Sequence, residues 1–153
     1  MHTTKRLALI AALLFTGVTA ASAQDQGNWR AASSDAKAVT GDIGISEYKL
    51  WINFSGFTIA QIRALKPDEL LALFNADLSE AGKGNLYRLE IPADKKFSHH
   101  NTLCGTQETQ WMVTYAHGRE LQVSFFSGGA MPVFTVDALN NASSLCGTYS
   151  YVR

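Results

Sequence analysis

The tetrapeptide Leu-Cys-Gly-Thr occurs twice, at residues 103–106 and 145–148, and Cys104 and Cys146 are the only cysteines in the chain. Each copy runs into an aromatic, strand-like segment, so a disulfide between them is expected to tie the starts of two strands together. Cross-linking a loop of that length restricts the unfolded chain and stabilises the fold by about 4 kcal/mol. That is a large share of the roughly 5–15 kcal/mol typical of a domain. Two free buried thiols, or a metal pair, are the alternatives. An exported chain with no leftover cysteine favours the bridge.

Export is read from the N-terminus. Lys5-Arg6, an apolar run from Leu7 to Phe15 and the small residues Ala21-Ser22-Ala23 have the order of a secretory signal peptide. Residues 1–23 are therefore assigned to a signal peptide and residues 24–153 to a single β-rich domain, periplasmic or secreted. The apolar run is well short of the roughly 20 residues of a membrane-spanning helix, so no stable membrane anchor is expected after cleavage. Lys5 and Arg6 are two of 13 basic residues, and against 13 acidic ones their removal leaves a slight acidic excess. With no basic block, nucleic acid is not an expected partner, and a monomer is the expected state.

Alternation of apolar with polar or small residues runs through Ile43, Ile45, Tyr48, Leu50, Ile52 and Phe54. A turn at Ser46-Glu47 would pair Ile43 with Leu50, and one at Ser55-Gly56 would pair Ile52 with Ile59, giving a three-stranded meander over about residues 38–63. Pro67, Asp68 and Glu69 followed by Leu70, Leu71, Leu73 and Phe74 predict a short helix over about 67–75. Gly82-Lys83-Gly84 is expected to break the chain before a strand from Leu86 to Ile91. Residues 93–108 read as irregular.

Trp111, Val113 and Tyr115 share one face of the next predicted strand, and Leu121, Val123 and Phe125 share one face of its successor. Placing both sets on one buried face requires a bulged or longer turn over Ala116 to Glu120, pairing Tyr115 with Leu121. Ser127-Gly128-Gly129 then leads into a strand from Pro132 to Val136. A turn or helix near Asp137 and a closing strand from Gly147 to Val152 complete the chain. The fold class is mainly β: a small antiparallel barrel or half-open sandwich of about seven or eight strands with one short helix.

Candidate chemistry is sparse. His99 and His100 point apart in an extended segment, and common metal-ligand spacings are absent, so no metal and no cofactor are expected. No nucleophile elbow or phosphate loop appears, and no catalytic residue is assigned. Trp51 lies opposite the apolar face, with Lys49 and Asn53 as face-mates. It is expected to pack against the helix or a terminus, and otherwise to stand exposed as a recognition aromatic. Gly128, Gly129 and Met131 lie in a glycine-rich, apolar-tipped loop that turns the chain or enters a partner's cleft.

Gly27-Asn28-Trp29 resembles the Gly-x-Trp opening of lipocalin-type barrels. The resemblance implies a tryptophan plug at the closed barrel end, covered by a late arginine, a position that Arg153 would fill. The expected function is noncatalytic binding of a small apolar ligand or a protein partner, through Trp51, Gly128, Gly129 and Met131. Inhibition of a secreted or host hydrolase is the first alternative, and a small hydrolase using His117 or His99 with a carboxylate the second.

Overall fold

The computed structural model describes residues 23–153. The expected signal peptide, apart from Ala23, lies outside the described residues. Eight antiparallel strands, each bonded to its sequence neighbours, form a closed barrel: β1 (Gly27–Ala31), β2 (Ile43–Ile45), β3 (Lys49–Ile52), β4 (Ser55–Ala64), β5 (Lys83–Ile91), β6 (Thr109–His117), β7 (Glu120–Ser127) and β8 (Leu145–Val152). Three short helices interrupt them, α1 (Ser34–Val39), α2 (Pro67–Phe74) and α3 (Val136–Asn140). The β1–β8 seam is narrow, pairing Arg30 with Val152 and Ala31 with Tyr151. Closure leaves no edge running the length of the sheet.

Strand alternation fills the interior. Trp29, Ile43, Ile45, Leu50, Ile52, Ile59, Leu89, Met112, Leu121, Val123 and Phe125 are buried in one cluster inside the barrel. The helix α1, which the sequence reading did not anticipate, covers one mouth. Ser33 caps it by accepting from the Ala36 amide at 3.1 Å, Ala36 is wholly buried, and the Thr40 hydroxyl meets the Tyr151 hydroxyl at 2.7 Å. Burial raises the Tyr151 phenol well above the ordinary tyrosine range.

The opposite mouth is closed by the residues preceding β1. Asp25 is 1% exposed, and one of its carboxylate oxygens accepts from the Tyr87 hydroxyl (2.7 Å), the Thr114 hydroxyl (2.6 Å) and the Asn85 amide (3.1 Å). Burial, and then the neighbouring Asp25 charge, push the Tyr87 phenol far up, so this hydroxyl remains a donor. The Trp29 indole donates to the Asp25 carbonyl, and the Arg153 guanidinium lies 4.3 Å from the Trp29 ring centroid while donating to the carbonyls of Gln24 and Gln26. The plug and the late arginine implied by Gly-x-Trp are therefore both present.

Hairpin registers differ from expectation in an instructive way. Ile45 pairs with Leu50, and Ile52 with Ser55, because the turns fall at Glu47-Tyr48 and Asn53-Phe54. Both shifts are even, so the side chains that stay in the strands keep their faces, whereas Tyr48 and Phe54, expected on the apolar face, fall in the turns and are exposed. Asn53 and Phe54 both adopt positive φ, 47° and 66°, and Phe54 projects fully exposed at the tip. Asparagine tolerates that geometry and phenylalanine seldom adopts it, so composition pointed elsewhere.

The β6–β7 expectation is overturned. A two-residue turn at Gly118-Arg119 pairs Ala116 with Leu121, Thr114 with Val123 and Met112 with Phe125 inside the barrel. Trp111, Val113 and Tyr115 face outward, where Leu65, Leu70, Phe74, Phe126 and Phe134 cover them. This part of the wall is apolar on both sides, and the demand for a single buried face was the error. Two smaller corrections have the same source. Gly84 belongs to β5, where a Cβ would lie 2.5 Å from both Leu70 Cδ2 and the Thr114 carbonyl, so glycine lets α2 approach the wall. Pro132 to Val136 form no strand up to α3, because Phe134 serves as an anchor in this outer cluster.

The helix α2 occupies nearly its predicted span, with Asn75 terminating it at φ 50°. Arg63 donates through both guanidinium nitrogens to Glu69, each at 2.8 Å, and the Lys66 amide donates to the same carboxylate at 2.8 Å. The Arg63 hydrogen bond is the main cause holding the Glu69 carboxyl below its usual range. A lowered folded-state value stabilises above the ordinary carboxylate range and is lost as pH falls through it. Glu69→Ala is therefore expected to cost about 1–2 kcal/mol at neutral pH, and less at pH values below roughly 4. Urea midpoints measured from pH 7 to pH 3 check this, and a pH-independent difference would contradict it.

Candidate recognition groove

Among the described residues, no helix packs closely on β2, β3 or β4. There a cross-strand row places Asn28 beside Gly44, Gly44 beside Trp51, and Trp51 beside Gly56. The expectation that Trp51 packs against a helix or terminus fails. Trp51 is 48% exposed and its ring lies over Gly56, with Cζ3 only 2.7 Å from where a glycine Cβ would stand. Two glycines flanking one tryptophan leave room for the indole to lie against the backbone. The Lys49 ammonium sits 5.8 Å from the same ring centroid.

This row borders an open groove of about 620 Å³, which runs from Asn28 and Arg30 past Gly41, Asp42 and Gly44 to Trp51, Asn53, Phe54 and Ser98. Its volume lies within the range of ligand sites. Asp42 accepts from the Ala31 amide at 2.9 Å. The side chains of Asn28, Arg30 and Asn53 make no hydrogen bond to other described residues and are exposed. Gly56→Ala is expected to displace the Trp51 ring while changing stability by less than about 1 kcal/mol, since the obstructed group is the movable end of an exposed side chain. Trp fluorescence and a urea midpoint together check both halves of that statement.

The other sequence-selected residues lie elsewhere. Gly128, Gly129 and Met131 share the exposed loop after β7, whose base is held by the Trp111 indole donating to the Gly128 carbonyl at 2.9 Å. Gly128 has φ 85°, a conformation that favours glycine. The loop does not contribute to the groove beside Trp51. His99 and His100 occupy a tight turn with φ 53° and 61°, instead of the extended segment assumed for them. His117 meets the Glu80 carboxylate, and Glu120 lies 4.0 Å away. No hydroxyl is hydrogen-bonded to His117 among the described residues. Cys104 and Cys146 are joined, with Cα atoms 5.0 Å apart.

The sequence reading selected Trp51, with Asn53 as its face-mate, but missed Asn28 and Arg30. The one available signal was their parity: Asn28 and Arg30 alternate with the plug residue Trp29, so they face outward wherever Trp29 faces in. No protein-family model, curated protein or solved structure matches this chain.

Proposed function

We propose that this is an exported, noncatalytic binding domain that meets its target on the outside of the barrel, in the groove beside Trp51. The observation that carries the reading is a half-exposed tryptophan laid over glycine on a sheet face that no described helix covers, at the border of a groove of about 620 Å³ whose Asn28, Arg30 and Asn53 side chains make no hydrogen bond among the described residues. Carriage of an apolar ligand inside the barrel is less well supported, because aromatic and branched side chains fill that space. A hydrolase reading lacks support too: His117 has a carboxylate neighbour but no nucleophilic hydroxyl within a hydrogen bond among the described residues.

Inhibition of a hydrolase is the second reading. It rests on the loop after β7, which is pinned at its base by Trp111 and Phe134 and exposes Met131 and Val133 at its tip. One experiment separates the two. The immobilised mature protein is exposed to native extract, and retained material is compared for the unmodified chain, Trp51→Ala and Met131→Ser. Loss of retention in Trp51→Ala alone is expected. Loss in Met131→Ser alone would transfer the function to the loop, and undiminished retention by both variants would overturn both readings.

A further inference from the structure

We propose that the groove takes a neutral saccharide, with one sugar ring stacked on Trp51; this rests on the groove being the recognition site. The first reason is the platform. Gly44 and Gly56 stand on either side of Trp51 in register, and the indole lies across Gly56 with much of its surface open to solvent. A ring held in this way presents a broad apolar face whose π-cloud is electron-rich. The C–H side of a pyranose fits such a face, because its axial hydrogens are polarised by the ring oxygens and hydroxyls.

The second reason is the fringe. Asn28, Arg30 and Asn53 border the groove with their hydrogen-bonding groups unpaired among the described residues, and the Ser98 hydroxyl lies at its far side. An amide both donates and accepts, as does each sugar hydroxyl, so a polyol satisfies these groups in either direction. A lipid chain seated here would strip them of water and return no hydrogen bonds.

Charge and backbone narrow the class further. Arg30 and Asp42 in the lining offset one another and the Lys49 ammonium stands singly beside the Trp51 ring, so no cluster of cations marks the groove for an anionic ligand such as a phosphate. The backbone along the row from Asn28 to Gly56 already belongs to the sheet ladders, so a peptide strand has no free edge to extend there. The groove is open, which allows a longer glycan to continue past the aromatic ring.

The test uses the mature protein with cellotetraose, chitotetraose and maltotetraose as probes, following the Trp51 indole N–H by two-dimensional NMR. A saturable shift with at least one probe is expected. Trp51→Ala is expected to weaken that binding about tenfold, Gly56→Ala to weaken it without lowering the urea midpoint, and Asn28→Ala to weaken it as well. Binding that is unchanged in Trp51→Ala would overturn the proposal. So would the absence of a saturable shift with all three probes. If Trp51-dependent retention from extract persists in that case, the groove stands and its saccharide occupant falls. If retention is also lost, both fall together.

Discussion

Breaking the Cys104–Cys146 bond, by reduction or by Cys146→Ser, is expected to lower the unfolding free energy by about 4 kcal/mol. The bond spans 42 residues, a segment that contains all of β6, β7 and α3. Without it, the unfolded chain regains the freedom to separate the approach to β6 from the start of β8. The native barrel keeps its ladders between β6, β7 and β8, so the loss lies chiefly on the unfolded side of the equilibrium. Urea denaturation with and without reductant measures the effect. An unchanged midpoint would refute it.

Asp25→Ala is expected to cost about 3–5 kcal/mol, because it leaves two buried donors, the Tyr87 and Thr114 hydroxyls, and the half-buried Asn85 amide without their acceptor. Tyr87→Phe removes one of those donors while leaving the other two satisfied, and is expected to cost about 1–2 kcal/mol. The ordering of the two variants is the diagnostic. Equal losses would mean that the carboxylate is merely filling space. A urea midpoint for each variant, taken near neutral pH, decides between these outcomes.

What was legible in the sequence was whatever period and pairing record. The disulfide followed from two cysteines in matching contexts, the barrel from repeated alternation, and α2 from Pro67 ahead of a leucine-rich face. Even the misplaced turns at residues 46–47 and 55–56 left each strand facing the correct way, since both errors were of even length. Alternation failed where a second layer intruded. Trp111, Val113 and Tyr115 are apolar because α2 and Phe134 cover them from outside, and nothing local to that strand announces the cover. The helix α1 was missed because it is held in place by capping through Ser33 and a distant Tyr151, not by a strong apolar stripe of its own. At the groove, Trp51 was conspicuous as a residue, but its exposure depended on two glycines brought beside it from neighbouring strands.

The clasp of Arg153 around Gln24, Gln26 and Trp29 has a practical corollary. It holds residues 24 and 153 at the rim that also carries the Gly118-Arg119 turn, whereas Phe54 marks the other rim. A surface tether or fluorescent label attached at residue 153 would therefore start on the rim opposite the Phe54 tip, close to the Arg30 end of the groove. Positions 24 and 153 already touch there, so probes placed on the two would report on one and the same rim.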